Sequence, residues 1–197
     1  EVVCKDGGNY IDVRTKEKAG SGTEVCFIPD FTLFETDSIT DLDTLELLEE
    51  RLLSLQMSFP EIRFSFNKRR IQVSDLKKYS ALFSEHVVVE KSDNVSFFFA
   101  SSEDGFRSNS FVNGVNTRQG GSYVDYIVNG VVEELVTMIK KKHKIDVVKA
   151  TIKNGLTFVL FARNFVNPKF DSQTKEKLTN PMSNVKEHYE GAECKDF

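Results

Sequence analysis

Between Pro168 and Pro181 an amide, a hydroxyl and an ammonium stand in a row, Gln173, Thr174 and Lys175. Proline biases the residue before it away from the helical region, so the apolar run ahead of Pro168 cannot simply continue, and residues 167–181 read as a loop. A flexible lysine beside a glutamine can offer a phosphate oxygen both a point charge and a hydrogen-bond donor. The same residue types also suit a polar surface connector, and composition alone leaves both readings open.

Two other places could do chemistry. Gly120-Gly121-Ser122 precedes an apolar-periodic segment, and free N–H groups at a helix start attract anions, although such glycine pairs also serve as plain turns. Lys140, Lys141, Lys142 and Lys144 close that segment, where the helix dipole favours cations and where DNA phosphates could also be met. Asp41 and Asp43 imitate a metal-binding pair, but their position at a helix start makes capping the simpler reading. Cys4, Cys26 and Cys194 are an odd, widely spaced set without a CxxC, and His86, His143 and His188 are equally scattered. Free thiols fit this better than a disulfide frame or a zinc site. No nucleophile elbow, complete Gly-rich phosphate cradle or paired carboxylates are recognisable.

The elements that must position these residues are legible from periodicity. The 197 residues are 40% hydrophobic with 17 Phe, which supports a packed core rather than disorder. A net charge of -4 gives no global attraction to nucleic acid or to an anionic membrane, so such contacts need local clusters. No apolar run approaches the ~20 residues of a membrane span, and a soluble cytoplasmic protein is expected. The first residue is Glu1 and the opening residues already read as strand, so the chain is expected to begin partway through a longer protein.

Residues 1–5, 10–15 and 24–28 read as short antiparallel strands, the third apolar on both faces through Val25 to Ile28 and therefore buried. Thr40 with Asp43 forms a capping-box pattern ahead of a helix whose stripe is Leu45, Leu48, Leu52 and Leu55. Ile62, Phe64 and Phe66 alternate as a strand that turns at Asn67-Lys68 and returns through Ile71 and Val73. A short helix over 75–83 follows, and a domain boundary is expected near 73–78. Strands over 86–90, 95–100 and 106–113 suggest an antiparallel meander. Ser122 with Asp125 suggests a second capping box for a helix carrying Val124, Ile127, Val128, Val131, Val132, Leu135 and Ile139 on one face. A long edge strand over 156–165 leads to the Gln-Thr-Lys loop. The order predicts an α+β layer with helices on one side of a sheet.

Three motifs in order, Gly22-Thr23-Glu24-Val25 with Phe27, Pro29 and Asp30, then Phe111-Val112-Asn113-Gly114 with Gly120-Gly121-Ser122, then Phe170-Asp171-Ser172-Gln173-Thr174-Lys175-Glu176, resemble the ATPase region of type IIA DNA topoisomerases. Order and spacing are most similar to the large ATPase subunits of T-even-like phages. The resemblance covers nearly the whole chain. It implies the C-terminal part of a GHKL (Bergerat-fold) ATPase domain over 1–75 and a transducer domain over 76–197, with a fold like domain 2 of ribosomal protein S5. That fold carries a left-handed crossover, against the usual hand.

The resemblance further implies that Gln173 and Lys175 reach the γ-phosphate of ATP bound in the neighbouring domain, with Lys175 in a catalytic role, and that Thr23 helps to line the adenine pocket. Lys140, Lys141, Lys142 and Lys144 become candidate DNA phosphate contacts. ATP and Mg2+ would serve the parent subunit, which acts on DNA with other topoisomerase subunits and as a homodimer, in the cytoplasm of a phage-infected bacterium. The family's Asn-box, its Asp-x-Gly-x-Gly motif, Gly-rich lid, Toprim domain and cleavage Tyr are not in this chain. It is therefore expected to bind no nucleotide well by itself, to be inactive alone and to be monomeric. Ile152-Lys153-Asn154-Gly155-Leu156 departs from the Arg-Glu-Gly-Leu pattern of bacterial gyrase. Two alternatives stand beside this reading: a non-enzymatic nucleic-acid-binding module of S5-like fold, and a mismatch-repair-type GHKL ATPase fragment.

Overall fold

The computed structural model describes residues 2–5, 10–13, 22–26, 31, 42–73 and 75–191. The chain divides into two compact units, 1–41 and 42–197. In the first, β1 (Val2–Lys5) and β2 (Tyr10–Val13) pair antiparallel, Val2 opposite Val13 and Lys5 opposite Tyr10. The third expected strand does not form over residues 22–26, and Val25 is 79% exposed. A run that is apolar on both faces becomes a buried strand only where a sheet continues beside it, and no strand pairs with it among the described residues. Residues 27–28, together with Thr40 and Asp41, lie outside the described residues.

The second unit is built on one five-stranded sheet. Its members are β5 (Val87–Lys91), β6 (Val95–Ser101), β7 (Arg107–Val112), β8 (Val115–Asn116) and β9 (Leu156–Ala162), in the spatial order β5-β6-β9-β7-β8. The sheet is flanked by α1 (Leu42–Ser58), α2 (Leu76–Ser80), α3 (Ser122–His143), α4 (Lys149–Asn154) and α5 (Met182–Gly191). A two-residue hairpin, β3 (Ser65–Phe66) and β4 (Arg69–Arg70), turns at Asn67-Lys68 with φ 47° and 64°. Two successive left-handed residues are what a primed turn demands, so this expectation holds, although the paired part is shorter than the alternation suggested.

The meander does not. Strand β9 lies between β6, antiparallel, and β7, parallel with Arg107 opposite Thr157 and Val112 opposite Ala162. Parallel neighbours need a crossover, and the chain makes it through β8, α3 and α4. The supposed edge strand is thus the centre of the sheet. Phe158, Val159, Leu160 and Phe161 are each 0% exposed, which only a strand covered on both edges and both faces achieves.

Helices cover both faces rather than one. Along β6 the consecutive residues Phe97, Phe98 and Phe99 point alternately, and all three are buried. Phe97 and Phe99 join Phe158, Leu160 and the α3 residues Val124, Ile127, Val128 and Val132, with Val185 and Tyr189 of α5. Phe98 joins Val159, Phe161 and Phe111 beneath Met57 of α1 and Leu76 and Tyr79 of α2. Apolar residues at both parities require two covering layers. The α1 stripe is also rotated from expectation: Leu48 is exposed, while Leu53 and Met57 pack into the layer on the sheet and Ser54 is buried. The short helix over 75–83 is real over 76–80, capped by Asp75, whose carboxylate accepts from the Lys78 N–H at 2.8 Å.

Phe161 stacks on Phe111 at 5.1 Å between ring centroids and meets Tyr79 edge-on at 5.4 Å. Phe161→Ala would leave a cavity between α2 and the sheet and should cost about 3–5 kcal/mol. Urea unfolding followed by circular dichroism measures it; a cost below about 1 kcal/mol would mean that this layer does not form.

Candidate functional site

The loop between the prolines is not a slack connector. Phe170 bridges antiparallel to Leu178, and Leu178 bridges parallel to Gly121, so a narrow three-stranded patch ties the loop to the start of α3. The Ser122 N–H donates to the Leu178 carbonyl at 3.0 Å, and the Leu178 N–H donates to the Gly120 carbonyl at 3.0 Å. Gly121 has φ 115°, and a Cβ there would run into the Leu178 backbone. Only glycine permits this approach.

That geometry corrects two expectations. Gly121 is the residue before the helix, and Ser122 is its first residue, so no side-chain capping box with Asp125 forms. The Ser122 hydroxyl is buried without a hydrogen-bond partner among the described residues. The Gly-Gly pair also presents no open Ser122 N–H to an anion, because Leu178 occupies it.

Below the tip the loop is laced across its own base. The Thr179 N–H donates to the Lys169 carbonyl at 2.8 Å, and the Lys169 N–H to Asn180 Oδ1 at 2.6 Å. Asn180, buried, also donates through Nδ2 to the Asn167 carbonyl at 3.1 Å. Asp171 accepts from the Lys177 N–H at 3.3 Å, and the Ser172 and Thr174 hydroxyls lie 2.8 Å apart.

At the tip, Gln173, Thr174 and Lys175 are exposed. Lys175 adopts φ 59°, its N–H donates to the Ser172 carbonyl at 3.2 Å, and its ammonium lies 5.9 Å from the Phe170 ring centre. It makes no ion pair among the described residues. The arrangement presents an uncompensated cation and an amide on a braced base, which is what an anionic oxygen approaching from outside would need.

The lysine cluster sits elsewhere. Helix α3 has 22 residues, so about 33 Å separate its two ends, and the loop is at one end and the lysines at the other. Lys140 is bound to Asp146 at 2.7 Å, whose hydrogen bond and charge push its ammonium pKa up. Lys144 caps the helix in the left-handed conformation at φ 60°, its N–H donating to the Lys140 carbonyl. Lys141 and Lys142 are exposed without an ion pair among the described residues. Thr23 is exposed in the first unit. Among the described residues no group of three His, Cys, Asp or Glu could hold a metal ion, and no helix is long and apolar enough to cross a membrane.

Two contributors escaped the sequence reading. His188 on α5 sits between Tyr123 Oη, 2.9 Å from Nδ1, and the Arg163 carbonyl, 2.8 Å from Nε2. A carbonyl only accepts, so Nε2 carries the proton and Nδ1 accepts from the tyrosine hydroxyl. The Arg163 guanidinium itself donates to the carbonyls of Asp93, Met57 and Ser92 and to Ser96 Oγ at 2.8–3.1 Å, locking the start of the loop segment to the β5–β6 turn and to α1. Helix α5 could have been suspected from Val185 and Tyr189 at i, i+4 spacing. The β7–β8 hairpin had its signal in Asn113-Gly114, with φ 49° and 78°.

Burial lowers the His188 pKa from its ordinary 6.5. The folded state then binds fewer protons than the unfolded one between that lowered value and 6.5, so stability falls as pH drops through this window. Thermal melting at pH 5 and pH 7.5 should show a loss on acidification that is smaller in His188→Gln; an equal loss in both would remove His188 from the account.

The comparisons with known proteins agree with this architecture. A family model described as DNA gyrase B matches residues 66–191. The DNA topoisomerase large subunit of Enterobacteria phage T4 is 39% identical over 190 residues, covering 95% of this chain and 36% of that protein. The crystal structure of the ATPase region of Saccharomyces cerevisiae topoisomerase II superposes with a TM-score of 0.68 at 26% identity, over 82% of this chain and 45% of that one. The ATPase and transducer domains of DNA topoisomerase II from Balamuthia mandrillaris give a TM-score of 0.67 at 27% identity, over 80% and 46%. The chain thus spans about a third of the phage relative and just under half of each of these structures. This chain belongs to the gyrase-B-type family of type II DNA topoisomerases.

Proposed function

We propose that the chain is the coupling part of an ATP-dependent type II DNA topoisomerase subunit, with residues 1–75 ending the GHKL ATPase domain and residues 76–197 forming an S5-like transducer domain. The observation that carries the proposal is the braced loop that holds Lys175 and Gln173 exposed at its tip, Lys175 without an ion pair among the described residues, in a chain of this family. Lys175 would neutralise charge on the ATP γ-phosphate as the bond to it breaks, while Gln173 donates a hydrogen bond to the same group. Loss of that phosphate would release the tip and let the ATPase and transducer domains move relative to one another. Thr23 would face the adenine in the parent subunit, whose nucleotide is ATP with Mg2+ and which works as a homodimer with other topoisomerase subunits in the cytoplasm of an infected bacterium.

DNA is the proposed macromolecular partner. Lys141, Lys142 and Lys144, exposed and without an ion pair among the described residues, are placed to meet backbone phosphate, whereas Lys140 is already held by Asp146. The topoisomerase relatives favour this reading over a mismatch-repair ATPase and over a stand-alone nucleic-acid module.

The test is ATP turnover by the full-length parent subunit. Lys175→Ala and Lys175→Arg should each lower kcat, the alanine by about 10²-fold, with nucleotide affinity largely kept. An unchanged kcat would return the loop to a connector. In the same subunit, Lys141→Gln with Lys142→Gln should reduce the salt slope of duplex binding by about one per lysine, and an unaltered slope would remove those contacts.

A further inference from the structure

The bridges at Leu178 fix the return strand of the loop, yet Lys175 stands three residues beyond that anchor, on a residue held at positive φ. Something must hold the intervening Glu176 if the ammonium is to stay in one place. Gln119 does so twice. Its backbone N–H donates to the Glu176 carbonyl at 2.8 Å, and its side-chain Nε2 donates to Glu176 Oε2 at 2.8 Å.

Gln119 is itself stationary. Gly120, next to it, donates its N–H to the Thr117 carbonyl at 2.8 Å, and Thr117 is buried against Ser110 of β7 through paired hydroxyl and backbone bonds. The clasp therefore runs from the central sheet through Thr117 and Gln119 to the residue that follows Lys175. A side-chain bond to a carboxylate fixes both partners more firmly than a neutral pair would. On the loop side, the carboxylate of Glu176, the residue that follows Lys175 in the chain, is drawn toward Gln119.

We infer that Gln119 and Glu176 form a positioning clasp that sets the orientation of Lys175 toward its phosphate. The inference rests on the γ-phosphate reading above and adds to it a named device outside the Gln-Thr-Lys triplet. Gln119 touches no nucleotide in this account; it acts through Glu176. Both side chains are at the surface and neither contributes to the two apolar layers, so their removal should alter where the tip points without altering the fold.

The experiment uses the full-length parent subunit with five forms compared side by side: wild type, Lys175→Ala, Gln119→Ala, Glu176→Ala, and the exchanged pair Gln119→Glu with Glu176→Gln. Gln119→Ala and Glu176→Ala should each lower kcat for ATP about 3- to 10-fold, the range expected for losing one exposed hydrogen bond, with KM within twofold of wild type. The exchanged pair restores an amide-to-carboxylate bond with its ends reversed and should recover kcat to within about twofold. Amide hydrogen exchange at Lys175 and Glu176 should quicken in the alanine variants and return toward wild type in the exchanged pair. A merely structural pair would lower the melting temperature without this rescue of kcat.

A fall in Lys175→Ala with no change in Gln119→Ala would overturn the clasp and leave the γ-phosphate reading intact. A fall in both alanine variants that the exchanged pair fails to repair would overturn it as well. If Lys175→Ala itself turns over normally, the γ-phosphate reading fails and takes the clasp's role with it.

Discussion

The contact on which the rest of the site depends is the close approach of Leu178 to Gly120 and Gly121. It is a backbone contact, made possible by two glycines at positive φ and by the absence of a Cβ at position 121. Through it the first N–H of the longest helix finds a partner, the loop acquires a fixed return strand, and Phe170 and Leu178 are drawn into the core beside α3. A helix start and a functional loop thus satisfy each other's backbone groups. The loop base is thereby tied to α3, which packs on β6, β9 and the end of β7.

The sheet supplies the rigidity that such coupling needs. Its two central strands are apolar on both faces, and the β7–α3–β9 crossover places the residue before the loop segment beside β6, where Arg163 makes its four hydrogen bonds. His188 and Tyr123 then tie α5 to the same point from the other side. The loop is held by its neighbours at both ends while Gln173, Thr174 and Lys175 stay exposed at its tip. The proposed phosphate contact would need that combination, because an ammonium on a slack loop would lose ordering entropy each time it bound.

Much of this was legible from residue types. Pro168 and Pro181 bracket the loop, the Val and Ile spacing marks α3, and Asn67-Lys68 marks a turn. What could not be read was which strands are neighbours. The run Phe97-Phe98-Phe99 has no alternation to betray a face, so a meander and a crossover sheet look alike until the partner strand is known. Strand β9 resembled an edge because nothing local says what lies on either side of it. The capping box at Ser122 misled for a physical reason: a glycine pair already in contact with Leu178 shifts the helix start by one residue and removes the need for a side-chain cap. The clasp and the His188 bridge join residues 57 and 65 positions apart, a separation at which local pattern carries no information.

If the proposed contact is right, the braced tip responds to the γ-phosphate. Amide hydrogen exchange over residues 171–178 of the full-length subunit, compared between ADP and a non-hydrolysable triphosphate, would show that response. Thr174, Lys175 and Glu176 should gain protection with the triphosphate alone, while Leu178, already bonded to Gly120, is protected in both states. Equal exchange at the tip with the two nucleotides would contradict it.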